Sequence, residues 1–362
     1  MNTKTIKKAA LAVLIAAAAS TGLLAQTPTP PPQTFNTTIY FDYSFNLTDN
    51  GFLTSTDAAK ALDNKFAFRR AYFTYENKIN DDLKFRLRFD ADNTANITSV
   101  AKDFLTKKDD KLRPFIKHLY LDWAGLLPNS SLKIGMVDTI TFKLAEDRWG
   151  YRSVAKTIVD GYKDVTGVDI RASSADLGVN LTGPVTKELR YGLMVTNGEG
   201  YSHPELNKYK KFAGQIQLVP LAGLSLVGYA EYEKPSDSAK AMMYKLDAYF
   251  EMVPGLTLAG EWFTYNNELN KNADESHYNV GGFSIFSTFK IIIDKLNAFA
   301  RFDSYMPNST VSSKKMSLVI AGLDWAPVHS SWKLQPNVWI YSYKDSAKKT
   351  DIVFNMTFFL SF

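Results

Sequence analysis

From Asn36 to the carboxyl-terminal Phe362 the chain is a series of short segments in which apolar and polar side chains alternate. A period of two puts successive side chains on opposite faces of a strand. Sixteen such segments can be marked, near 36–48, 65–78, 82–92, 113–124, 130–138, 165–183, 188–197, 209–219, 224–233, 241–252, 256–266, 276–290, 295–304, 314–326, 332–343 and 350–362. Most approach the roughly 9–11 residues that a tilted strand needs to cross a bilayer. No competing helical period interrupts the series. The pattern therefore predicts an all-β chain, and its count and lengths point to a transmembrane antiparallel β-barrel of about sixteen strands.

The connections sharpen that expectation. Tight links such as INDD, GLLPNS, GPVTK, PLAG, VPG, IIID and APVHSS alternate with longer stretches at 49–64, 93–112, 139–164 and 267–275. Short periplasmic turns and longer outer loops are what a barrel with both ends on the periplasmic side requires, and an even strand number fits the same picture. Tyr and Trp crowd the segment ends, in IYFDYSF, YLDWAG, GEWFTY, GLDWAP and VWIYSY. Rings with a polar tip favour the membrane–water interface. In the last segment, DIVFNMTFFLSF, the residues Ile352, Phe354, Met356, Phe358, Leu360 and Phe362 share one face. A final strand of this pattern ending on Phe resembles the assembly signal of bacterial outer-membrane barrels.

The amino terminus reads as an export signal. Lys4, Lys7 and Lys8 precede the short apolar run Ala9 to Ala19, and small residues lead to a cut after Ala25. The expected organisation is a signal peptide at 1–25, a Pro-rich linker at 26–35 and a barrel domain at 36–362. Removing the signal leaves 42 − 3 = 39 basic and 37 acidic residues, a net charge of +2. So balanced a chain gives no ground for a nucleic-acid partner, and any charge selectivity must be local. The absence of cysteine excludes disulfides and thiolate-bound metals.

The segment DDLKFRLRFDAD carries the most chemistry. Leu83, Phe85, Leu87 and Phe89 fall on one face, and Lys84, Arg86, Arg88, Asp90 and Asp92 on the other. A charge facing the bilayer middle costs about 2–4 kcal/mol, so the charged face belongs to the lumen. Arg70 on the preceding segment should stand beside it. Two readings of this face remain open. Lys84, Arg86, Arg88 and Arg70 form an anion path along the wall, or Asp42, Glu76, Asp90, Asp92 and Asp122, also inward by alternation, pair with them and neutralise it. The longest loop, 139–164, is the expected constriction, with Lys143, Arg148, Arg152 and Lys156 set against Glu146, Asp147 and Asp160. Tyr40, Tyr72, Tyr120 and Tyr229 also point inward, so a sugar slide is a further alternative.

Enzyme chemistry finds no footing. The histidines are His118, His203, His277 and His329, and only His118 lies on a strand. No serine or acid stands at pairing distance along the sequence pattern, no cluster has metal-ligand spacing, and no phosphate-binding glycine loop occurs. No cofactor is expected.

Three stretches resemble the phosphate-selective porin O and P family. FAFRRAYFTYENKINDDLKFRLRFDAD is similar to that family's second and third strands, with paired arginines before a hairpin. LKIGMVDTITFKLAE, at 132–146, resembles the strand that leads into its inward-folded loop, with Thr141 where the family often has Pro. DLGVNLTGPVTKELRYGLMVTNGEGY, at 176–201, is the nearest in pattern. The resemblance implies a sixteen-stranded porin in outer-membrane lipid, often a homotrimer, that passes small inorganic anions through a loop-narrowed channel. Phosphate preference belongs to some members only. The alternatives are a general or sugar-preferring channel with a charge-paired lumen, and a plugged structural or adhesive barrel.

Overall fold

A computed structural model describes residues 33–48, 65–92 and 114–362 except Leu206, with no account of the Lys65 and Asp164 side chains. The proposed signal, nearly all of the linker and the loops 49–64 and 93–112 lie outside the described residues. The strands are β1 (Gln33–Asn46), β2 (Lys65–Lys78), β3 (Leu83–Asp92), β4 (Phe115–Ala124), β5 (Ser131–Asp138), β6 (Ala175–Pro184), β7 (Leu189–Thr196) and β8 (Lys211–Leu221). They continue as β9 (Leu224–Ser236), β10 (Ala239–Phe250), β11 (Leu256–Lys271), β12 (His277–Ile292), β13 (Leu296–Met306), β14 (Met316–Trp325), β15 (Trp332–Tyr343) and β16 (Asp351–Ser361). Each pairs antiparallel with its sequence neighbours, and β1 closes on β16 with Thr38 opposite Ser361. All sixteen expected segments are strands. No sheet edge is left unpaired, which is the condition for crossing lipid with strands.

The apolar face of the alternation points out. In β3 it is Phe85, Leu87 and Phe89; in β10, Met242, Tyr244 and Leu246 are all exposed. The inward face of β10, from Ala239 through Met243 and Lys245 to Tyr249, is buried. A barrel this wide cannot bury its inner wall with its own strands. The segment between β5 and β6 fills it.

That segment carries α1 (Ile140–Trp149), α2 (Ile158–Gly161) and α3 (Lys163–Thr166). α1 stops where Gly150 takes φ +71°, a left-handed conformation that glycine adopts without a Cβ clash, and its N–H donates to the Glu146 carbonyl at 2.9 Å. The loop's apolar side packs on the inner wall of β7 to β15. Trp149 meets Phe286 and Phe299 edge-on at 5.3 and 5.8 Å between ring centres, and its Nε1 donates to the Ala155 carbonyl at 3.0 Å. Tyr162 stacks on Tyr305 at 4.3 Å and donates to Asp303 at 2.9 Å. Gly282 leaves the space that Ile158 occupies, since a Cβ there would lie 3.0 Å from its Cδ1.

Several boundaries differ from the sequence reading. β1 begins at Gln33, inside the stretch assigned to the linker. The stretch 165–174 is the end of α3 followed by loop, not the start of β6. Its alternation is real, but Ile170 is buried in the lumen core instead of facing lipid. β9 and β10 join through Asp237 and Ser238 alone, and β11 extends to Lys271, so that the expected long loop at 267–275 shrinks to 272–276, no longer than the 251–255 turn; the parity of loop lengths fails at these two links.

Candidate pore constriction

Two register irregularities build the basic wall. β2 slips against β1 so that Tyr40 opposes Arg70 while Phe41 opposes Phe68, leaving Arg69 as an extra residue. β4 slips against β3 so that Arg88 opposes His118 and Phe89 opposes Ile116, leaving Lys117 extra. Such a bulge turns two consecutive side chains to one face. Arg69 and Arg70 therefore both enter the lumen, as do Lys117 and His118. Strict alternation predicted Arg70 and missed Arg69 and Lys117. Both were legible only as unusual dyads, RR and KH, in otherwise alternating strands.

The cross-strand register then decides which cations are neutralised. Arg70 pairs with Asp90 at 3.1 Å and Asp92 at 2.6 Å, and Lys117 reaches Asp90 at 3.3 Å. Arg86 pairs with Glu76 directly opposite at 3.3 Å. Arg88 faces Thr74 instead of an acid. Its Nε donates to the Thr74 hydroxyl at 2.8 Å, and its guanidinium lies 4.9 Å from the Tyr72 ring centre. Among the described residues Arg88 has no carboxylate partner. Lys84 is exposed at the short-turn end, opposite Asp122, whose carboxylate accepts from Ser131. The two readings of this face thus divide residue by residue. Arg70 and Arg86 belong to a paired wall, whereas Arg88 and Lys84 do not.

The loop does fold inward, and its four expected cations are all engaged. Lys143 pairs with Asp147 on the next turn of α1. Arg148 reaches Glu251 in the β10–β11 turn at 3.0 Å. Arg152 lies between Glu146 at 3.0 Å and Asp160 at 3.1 Å, and Lys156 is 3.7 Å from Asp160. The loop's far tip is held by the bulge residue, since Arg69 Nη1 donates to the carbonyls of Ser153 and Val154 at 2.8 and 3.0 Å. Ser153 Oγ donates to Gln335 of nearby β15 at 2.6 Å.

Between this loop and the basic wall remains a cavity of about 260 Å³. Tyr72, Arg86, Arg88, Lys117 and His118 line one side, and Phe142, Lys143, Glu146 and Asp147 of α1 the other. The two helix carboxylates in this lining are themselves paired, Glu146 with Arg152 and Asp147 with Lys143. A second space of about 510 Å³ opens beyond α1 at the short-turn mouth, beside Arg148, Lys187 and Arg190. A larger concavity of about 620 Å³ is apolar and lies on the outward face around Leu246 and Trp262, away from these charges. Of the four inward tyrosines, Tyr40, Tyr120 and Tyr229 are buried, and Tyr229 donates to Glu231 at 2.5 Å. They offer a sugar no continuous row of exposed rings. His118 Nδ1 has no hydrogen-bond partner, and no metal-ligating cluster occurs among the described residues.

The closed sixteen-stranded barrel has counterparts among solved structures. The chain has a porin fold. An anion-selective porin from Comamonas acidovorans superposes with a TM-score of 0.60 at 10% identity, covering 91% of this chain and 99% of that one. The outer-membrane channel DcaP of Acinetobacter baumannii gives 0.58 at 12% identity over 94% and 99%. OmpT of Vibrio cholerae gives 0.58 at 10% identity over 94% and 100%. No protein-family model matches this porin-fold chain, and no curated protein does.

Proposed function

We propose that this chain is a bacterial outer-membrane porin, exported by a cleaved signal and assembled as a homotrimer, through which small solutes diffuse passively with a preference for anions such as phosphate. The long loops face outward and the short turns the periplasm. The observation that carries the anion preference is Arg88, a guanidinium beside the cavity with no carboxylate partner among the described residues. A planar guanidinium can replace the hydration of a passing phosphate through two parallel hydrogen bonds. Lys84 extends the basic stretch toward the short-turn end. Membership of the phosphate-selective O and P family rests on the three resembling stretches, of which 176–201 is the nearest in pattern, and the Comamonas neighbour is itself described as anion-selective.

The second reading, a general diffusion channel, draws on the pairing of Arg70, Arg86 and all four loop cations. The reversal potential of the purified protein across a KCl gradient separates the two. A chloride-selective potential, with phosphate lowering the current, supports the anion path. A weak or cation-selective potential indifferent to phosphate rejects it.

A further inference from the structure

We propose that Lys315 and Lys344, side by side on the outward surface of the barrel, dock the phosphate of an outer-leaflet membrane lipid. This rests on the reading of the chain as an outer-membrane barrel with its long loops outside. The register between β14 and β15 pairs Met316 with Tyr343. One step further, the Lys344 N–H donates to the Lys315 carbonyl at 2.9 Å. Met316 is buried in the lumen core. By alternation the two lysines, one residue on, point outward, and both are exposed.

Two like charges directly opposite on one face of an antiparallel pair destabilise it. Among the described residues neither lysine has a carboxylate partner. The acids of the adjoining loops are committed elsewhere. Asp345 accepts the Ala347 amide, and Asp351 accepts the Tyr343 hydroxyl. Exposed Lys314 and Lys349 add to the positive field. The described residues therefore supply no internal counter-charge for this pair.

Its height indicates what does. Below the lysines the same outward face continues through Val319 and Ile340 to Trp325. Ten residues separate Trp325 from Lys315, or about 25 Å along the normal for a strand tilted roughly 40°, the height of the apolar band of such barrels. With Trp325 at one interface, the lysines reach the headgroup level of the other. An anionic headgroup there forms charge-assisted hydrogen bonds with both ammonium groups.

The test measures binding of diphosphoryl lipid A, of its dephosphorylated form and of inorganic phosphate to the detergent-solubilised protein by native mass spectrometry. Wild type should retain the diphosphoryl lipid in preference to the other two. K315Q/K344Q should lose roughly 25-fold in affinity, at about fivefold for each interfacial lysine, and K315R/K344R should restore it. Equal retention by K315Q/K344Q, or equal binding of the dephosphorylated lipid, overturns the proposal. Heat-modifiable gel mobility and bilayer conductance of the same preparations report separately on the barrel reading.

Discussion

Arg88 Nε donates to the Thr74 hydroxyl at 2.8 Å across the β2–β3 ladder, where its neighbours Arg70 and Arg86 meet carboxylates. One uncharged residue opposite an arginine thus separates a guanidinium without a carboxylate partner among the described residues from a structural ion pair. The distinction is energetic as well as electrostatic. Removing one partner of a buried pair strands the other charge, while removing an unpaired cation strands nothing.

Arg88→Gln should therefore shift the reversal potential toward cations and leave thermal unfolding nearly unchanged. Arg70→Met should instead destabilise by about 3–5 kcal/mol, because Asp90, fully buried, keeps only Lys117 as a charged partner. Selectivity measured in planar bilayers, with unfolding followed by gel mobility, checks both. If Arg88→Gln leaves the reversal potential where it was, Arg88 has no part in ion passage.

Trp149 anchors the inserted loop against Phe286 and Phe299, and its ring also lies 5.3 Å from the Arg301 guanidinium. Trp149→Ala should cost the loop about 3–5 kcal/mol of packing without opening the strand ladder. Single-channel records should then show larger, noisier conductance from a barrel that still runs as a folded species. Unaltered conductance would mean that the loop does not set the bore.

Deleting Arg69 should harm folding little more than Arg69→Ala. The deletion removes the bulge but keeps Tyr40 opposite Arg70 and Phe41 opposite Phe68, so Phe66 and Phe68 stay outward and Ala67 inward. Either change frees the loop tip at Ser153 and Val154 and leaves Asp42 without its arginine. The folded fraction after refolding should be comparable for the two variants. A sharp fall for the deletion alone would show that the bulge itself is needed for the barrel to close.

Phe362 closes the barrel through its backbone, with its N–H donating to the Thr37 carbonyl and its carbonyl accepting from Thr37, both at 2.9 Å. Its ring is exposed. Phe362→Ala should refold in vitro like wild type, since both hydrogen bonds persist, yet assemble poorly in cells if the ring is read by the assembly machinery. Removing the residue altogether should impair both. Normal cellular assembly of Phe362→Ala would discard the signal role.

The strand count and the lipid face were legible because alternation is a local property of the sequence and lipid imposes it on every strand. The DDLKFRLRFDAD face came out as expected for the same reason. What alternation cannot report is an added residue. Arg69 and Lys117 carry no mark of their bulges beyond a doubled basic residue, and a slip of one reverses every later assignment. Nor can it tell a lipid-facing strand from a lumen-filling one. Ile170 sits in an alternating run that packs against protein. The pairing of Arg86 with Glu76 and of Arg88 with Thr74 depends on cross-strand register, which strand-by-strand reading does not contain.

The clamp between the inserted loop and the β7–β15 wall divides the cross-section into two independent territories. One half behaves as the interior of a soluble protein, where volume and shape are conserved by packing. The other, between α1 and the strands β2–β4, leaves a cavity beside which Arg88 can be exchanged without breaking an ion pair. Changes in solute preference can accumulate on the second half without disturbing the first, so the channel's chemistry can drift while its bore stays fixed.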